Sequence, residues 1–111
     1  MNKISPVFRE AARLIESNGL AKEAMYSSDD LPVMQRPMCT VGALRAAATG
    51  HPLNCRSVTV AEAVYFLART ISPGKDPMLR LMRWSDIPGR TAQDVATALR
   101  KAAQDAEAEG R

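Results

Sequence analysis

Apolar residues recur three and four apart through most of the chain, and five stretches carry that helical period. Val7, Phe8, Ala11, Leu14 and Ile15 form the first stripe. Ser5 is placed as its N-cap, Pro6 as its first helical residue and Gly19 as its stop. A short second helix runs from Thr40, placed as a cap, through Val41 to Ala48, and ends at Gly50 before His51-Pro52. Its Gly42, Ala43, Ala46 and Ala47 leave an almost bare face that another helix can approach closely. The third helix is predicted to open with a capping box at Thr59-Val60-Ala61-Glu62, with Val60, Val64, Leu67 and Ile71 in one stripe. Ser72-Pro73-Gly74 breaks it.

Asp76-Pro77 opens a fourth, short helix carrying Met78, Leu79, Leu81, Met82 and Trp84. Ile87-Pro88-Gly89-Arg90 has the proline and glycine placement of a type II turn. Thr91-Ala92-Gln93-Asp94 then starts a long helix with Val95, Ala98, Leu99, Ala102 and Ala106 inward, whose acidic end is expected to fray over about 105–111. Between the first two helices the period is lost. Ser27-Ser28-Asp29-Asp30 favours a turn, and Pro32 and Pro37 exclude a long helix. A short β-hairpin with Met25-Tyr26 and Val33-Met34 as arms, or an extended loop around residues 24–36, fits that stretch.

The expected architecture is therefore all-α: one domain over residues 1–111, built from about five helices. Composition agrees, because 18 of the 51 residues counted as hydrophobic are alanine and only 5 residues are aromatic. No run of about 18 apolar residues suggests a membrane span. The opening Met1-Asn2-Lys3-Ile4-Ser5-Pro6 lacks the apolar core of a secretory signal, which points to the cytoplasm and to two cysteines kept as thiols.

The formal charge of +3 is unevenly spread: −1 over residues 1–35, +5 over 36–100 and −1 over 101–111. A basic middle suits an acidic partner, phosphate or nucleic acid, or simply a solvated face. Arg80 and Arg83, three apart on the fourth helix, share a face that could grip phosphates. Met78 and Met82, four apart, form an adaptable apolar patch suited either to core packing or to binding.

Candidate chemistry centres on Cys39. Just ahead of a helix, its thiolate would gain from free N–H groups and the helix dipole, and a Cys39–His51–Asp86 triad can be written. The competing reading is a small buried cysteine and a loop histidine. Cys39, His51 and Cys55 also read as three metal ligands, short of the usual four for structural zinc. No complete catalytic, metal or cofactor constellation is present, and no cofactor is expected.

Two segments carry a resemblance. Cys39-Thr40-Val41-Gly42-Ala43-Leu44-Arg45-Ala46-Ala47 is similar to one half of a signature, and Trp84-Ser85-Asp86, Pro88-Gly89-Arg90-Thr91-Ala92 and Asp94-Val95 to the other. Together with the amphipathic first helix, they resemble a family of small uncharacterised proteins of actinobacteria and their phages. That family usually shows Trp-Asn-Asp where this chain has Trp-Ser-Asp. The resemblance implies a small helical fold and a bacterial or phage setting, without an activity. Trp84, Asp86, Arg90 and Thr91 also have structural readings: a core anchor, an N–H acceptor or partner for Arg90, and a helix cap.

The reading that follows is a non-enzymatic interaction protein that binds a bacterial protein or self-associates as a homodimer. Met78, Met82, Arg80, Arg83, Trp84 and Arg90 are its candidate binding residues. The alternatives are a cysteine-dependent enzyme using Cys39 and His51, and a nucleic-acid binder using Arg80 and Arg83.

Overall fold

Helix α1, Ser5–Asn18, lies along α5, Ala92–Ala108, the two running in opposite directions. Arg9 pairs with Glu107 at one end of that contact, and Glu16 with Arg100 at the other. These elements belong to a computed structural model that describes residues 3–71 and 74–111. The Ser72-Pro73 break and the Met1-Asn2 start fall outside the described residues. Helices α2 (Thr40–Thr49), α3 (Val58–Ile71) and α4 (Pro77–Asp86) complete the domain. The five-helix, all-α expectation holds, and among the described residues there is no strand longer than an isolated bridge.

Phe8 and Phe66, both fully buried, meet at the centre with ring centroids 5.9 Å apart and planes tilted by 44°. Leu44, Leu67, Leu81 and Leu99 fill the space around them. Ala11, Ala12, Ala43, Ala63, Ala96, Ala103 and Ala106 are buried too, so α1, α2, α3 and α5 approach one another over methyl groups. Trp84 is only half-buried, and packs against the edge of the core rather than anchoring it.

Several helix starts differ from the pattern's reading. Ser5 is not a cap: Ile4 and Ser5 both donate their N–H groups to the Arg111 carbonyl, at 2.7 and 3.3 Å. The Arg111 carbonyl thus satisfies the start of α1. The segment expected to fray stays helical to Ala108, and Arg111 also reaches Glu62 at 2.7 Å and lies over the Phe66 ring at 5.0 Å. Glu62 is therefore not part of a capping box, and Ser57 rather than Thr59 accepts the N–H of Val60. Helix α5 does begin with the expected box. Thr91 Oγ1 accepts from Asp94, whose carboxylate accepts the Thr91 N–H at 3.0 Å.

The stretch before α2 is an extended loop, and no hairpin forms. Pro32 leads into a single 3-10 turn, Val33–Gln35, which removes one proposed arm. The true pairing is with residues 37–39. Tyr26 bridges Met38 in antiparallel sense and Leu20 bridges it in parallel sense. Ala21 donates to Met38, Ser27 to Pro37 and Cys39 to Met25. Pattern alone could not show this, because one short central segment is flanked by two partners from the same loop.

Candidate functional site

Cys39 itself is the N-cap of α2. Its Sγ accepts the N–H of Gly42 at 3.3 Å, so the thiol takes the position assigned to Thr40. Thr40 turns inward instead. Its hydroxyl donates to Ser85 Oγ at 2.8 Å, and its backbone N–H reaches the same oxygen at 3.2 Å. Thr40 and Ser85 are fully buried. This pair locks the start of α2 to the end of α4, and gives the Ser of Trp-Ser-Asp a definite structural role.

The loop after α1 closes the other side. Lys22 Nζ donates to the carbonyls of Ser85 and Ile87, both at 2.9 Å, where the end of α4 leaves acceptors without helical partners. Asp86 Oδ1 accepts the N–H of Glu23 at 2.9 Å, which differs from the expected link to Arg90 or to the next helix start. Glu23 itself sits at φ 59°, a left-handed conformation uncommon outside glycine. The Met25 carbonyl takes the Cys39 N–H at 3.1 Å and lies directly over Gly42. A β-carbon there would stand 2.1 Å from the Met25 oxygen. At Gly42 the bare face of α2 thus receives a loop backbone, while its Ala43 and Ala46 are buried in the core where α1 and α3 approach.

These contacts enclose a recess of about 520 Å³ lined by Glu23, Ala24, Met25, Cys39, Met82 and Asp86. Cys39 Sγ lies 3.6 Å from Met25 Sδ, and the Arg45 guanidinium is 3.9 Å from the same thioether. Arg45 Nε is buried without a hydrogen-bond partner. Burial pushes the Cys39 thiol up, outweighing the N–H groups of Gly42 and Val41 that favour thiolate, while Asp86 adds to the rise and Arg45 opposes it. The helix start alone does not make this cysteine an anion.

Two members of the written triad, Cys39 and Asp86, therefore share a recess. His51 does not join them. It follows the far end of α2, about 15 Å of helix from the cap. There it meets Tyr26 edge-on at 6.2 Å between ring centroids, and its Nδ1 accepts the Leu53 N–H at 3.1 Å. Cys55 is exposed and Cys39 buried. Among the described residues no three of His, Cys, Asp and Glu gather to hold a metal ion, so Cys39, His51 and Cys55 do not converge.

The remaining candidates lie on α4 and in the turn that follows it. Arg80, Arg83, Trp84 and Ile87 line a shallow recess of about 250 Å³. Arg90 folds back so that its guanidinium lies 4.2 Å from the Trp84 ring centroid while Nε donates to the Trp84 carbonyl at 3.1 Å. The turn that permits this is the expected one, with Gly89 at φ 87° and Arg90 donating to the Ile87 carbonyl. Leu79 and Ile87 are 42% and 45% exposed. Met78 and Met82 are half-buried against the core, and Met82 faces the Cys39 recess. The expected methionine patch is thus divided between packing and a cavity wall. Lys22, Glu23 and Met25 escaped the sequence reading because only the loop's path brings them to α4. Met25 had a place in the pattern only as an arm of the expected hairpin.

A family model described as "Family of unknown function (DUF6197)" matches residues 1–105. No curated protein and no solved structure matches the chain. Among the described residues, no helix is long and apolar enough to cross a membrane.

Proposed function

The chain belongs to DUF6197, a family of unknown function, and we propose that it works by binding an acidic segment of another protein rather than by catalysis. The outer face of α4 carries this reading. Exposed Ile87 stands with Arg83, Arg80 and Trp84 around the 250 Å³ recess, and exposed Leu79 lies one turn before Arg83 on the same helix. Apolar contact combined with arginine and tryptophan is the composition of strong protein-binding surfaces. Arg90 stacked on Trp84 holds the indole before a partner arrives, reducing the ordering needed on binding. Carboxylates suit Arg83, whose planar guanidinium group matches them in bidentate fashion.

The resemblance of the Cys39–Ala47 and Trp84–Val95 segments to proteins of actinobacteria and their phages supports a bacterial cytoplasmic partner, with a phage-encoded origin for the chain.

The test compares capture from a bacterial lysate by the wild type, by Arg83→Glu with Ile87→Asp, and by Gln104→Glu on α5 as a control. A defined protein retained by the wild type and control, lost by the double variant and unaffected by nuclease supports the reading. Equal capture by the double variant overturns it. Nuclease-sensitive capture with a steep salt dependence assigns the arginines to nucleic acid instead.

A further inference from the structure

The geometry points to a soft-metal site for monovalent copper, formed by Cys39, Met25 and Met82 at the recess between the 20–26 loop, α2 and α4. It does not depend on the outer face of α4. Three sulfur-bearing side chains from three separate elements line one cavity of about 520 Å³. Two of them are already in contact, with Cys39 Sγ donating toward Met25 Sδ at 3.6 Å. With metal–sulfur bonds of about 2.3 Å, as zinc makes to thiolate, two sulfurs that far apart subtend about 100° at a shared ion. One ion can therefore replace the bridging proton without moving either sulfur far. Met82 lines the same recess, and its unbranched side chain has the torsional freedom to complete the set.

Ligand chemistry selects the ion. Thiolate and thioether donors are soft and favour Cu(I) over divalent zinc or magnesium. No imidazole lies in the wall, because His51 is at the other end of α2. Charge selects it as well. The Arg45 guanidinium, 3.9 Å from Met25 Sδ, repels an added cation, whereas Asp86 and Glu23 in the wall attract one. Binding exchanges one proton for one monovalent ion: the Cys39 S–H bond breaks, a copper–sulfur bond forms, and the proton goes to solvent. Net charge at the recess is then unchanged, while a divalent ion would leave an additional positive charge beside Arg45. The α2 cap survives the exchange, since the thiolate still accepts the Gly42 N–H.

The experiment titrates the purified full chain anaerobically with Cu(I) against a coloured Cu(I) chelator and counts sulfur neighbours by X-ray absorption. One ion with three sulfurs is expected. Loss of an outer-shell partner typically weakens a metal site about 10–100-fold, so removing a direct ligand should cost at least about tenfold. Cys39→Ser should abolish the site while keeping an N-cap, because serine caps well. Met25→Leu and Met82→Leu, which nearly conserve volume, should each weaken it at least about tenfold and decide the matter should the Cys39 variant misfold. Cys55→Ser should change nothing. Binding that follows Cys55, that ignores either methionine, or that favours Zn(II) over Cu(I) overturns the assignment.

Discussion

The α1–α5 pair and the loop–α2–α4 junction hold together in different ways. Between α1 and α5 the contact is a repeat of small and medium apolar side chains, closed at the rim by exposed pairs such as Arg100–Glu16. At the junction the contacts are specific and polar: a carbonyl pressed on Gly42, a hydroxyl pair at Thr40 and Ser85, and Lys22 on the last carbonyls of α4. The first arrangement tolerates change in proportion to volume lost. The second depends on individual atoms, and the 520 Å³ recess opens beside it. Periodic burial builds the frame, while backbone groups and single polar side chains shape the cavity.

That contrast can be broken by graded substitutions, each read as the urea midpoint of a purified variant. Phe8→Ala should have the largest effect, about 4 kcal/mol, because it empties space against Phe66. Gly42→Ala should follow at about 3 kcal/mol, since its methyl group meets backbone instead of a yielding side chain. Alanine otherwise favours a helix by about 1 kcal/mol over glycine. A neutral or stabilising Gly42→Ala would mean that the loop does not lie on α2.

Ser85→Ala should lose about 2 kcal/mol by leaving the buried Thr40 N–H and hydroxyl without their acceptor. Arg100→Ala should cost under about 1 kcal/mol, because its pair with Glu16 is exposed and screened by salt. If Arg100→Ala were to cost more than Ser85→Ala, the comparison would be reversed. The smallest effect concerns acid. The Thr91 N–H holds the Asp94 carboxylate below its ordinary range, so its support for α5 is complete above the unfolded carboxylate's range and is lost as pH falls through the lower folded value. Asp94→Asn should therefore flatten the acid limb of the stability curve, measured by helical circular dichroism.

The helical frame was legible because it depends on periodicity, and the stop at Gly19, the turn at Pro88-Gly89 and the box at Thr91 are local chemistry. Caps that use distant residues were not legible. Ser5 looked like a cap, but the Arg111 carbonyl satisfies the start of α1 from the other end of the chain. Thr40 likewise looked like a cap, and was displaced by the adjacent thiol because Ser85 offered its hydroxyl and N–H a buried partner. At the candidate site, Cys39 and Asp86 are adjacent as the written triad required, while His51 is separated from them by the length of α2. A helix rises by a fixed amount per residue, so the spacing of Cys39 and His51 along the chain already implies that separation.

By itself, then, the sequence determined an all-α domain, its five helical stretches and the alanine-lined faces on which they meet. Those properties follow from interactions between residues three or four apart. Tertiary structure alone decided that Gly42 receives a carbonyl, that Ser85 is an acceptor, and that Met25, Cys39 and Met82 line one recess. The loop carrying Met25 lacks a period of its own. Its path is set by the Cys39 N–H at the start of α2, which the Met25 carbonyl accepts, and by the carbonyls and the Asp86 carboxylate at the end of α4, to which Lys22 and Glu23 donate.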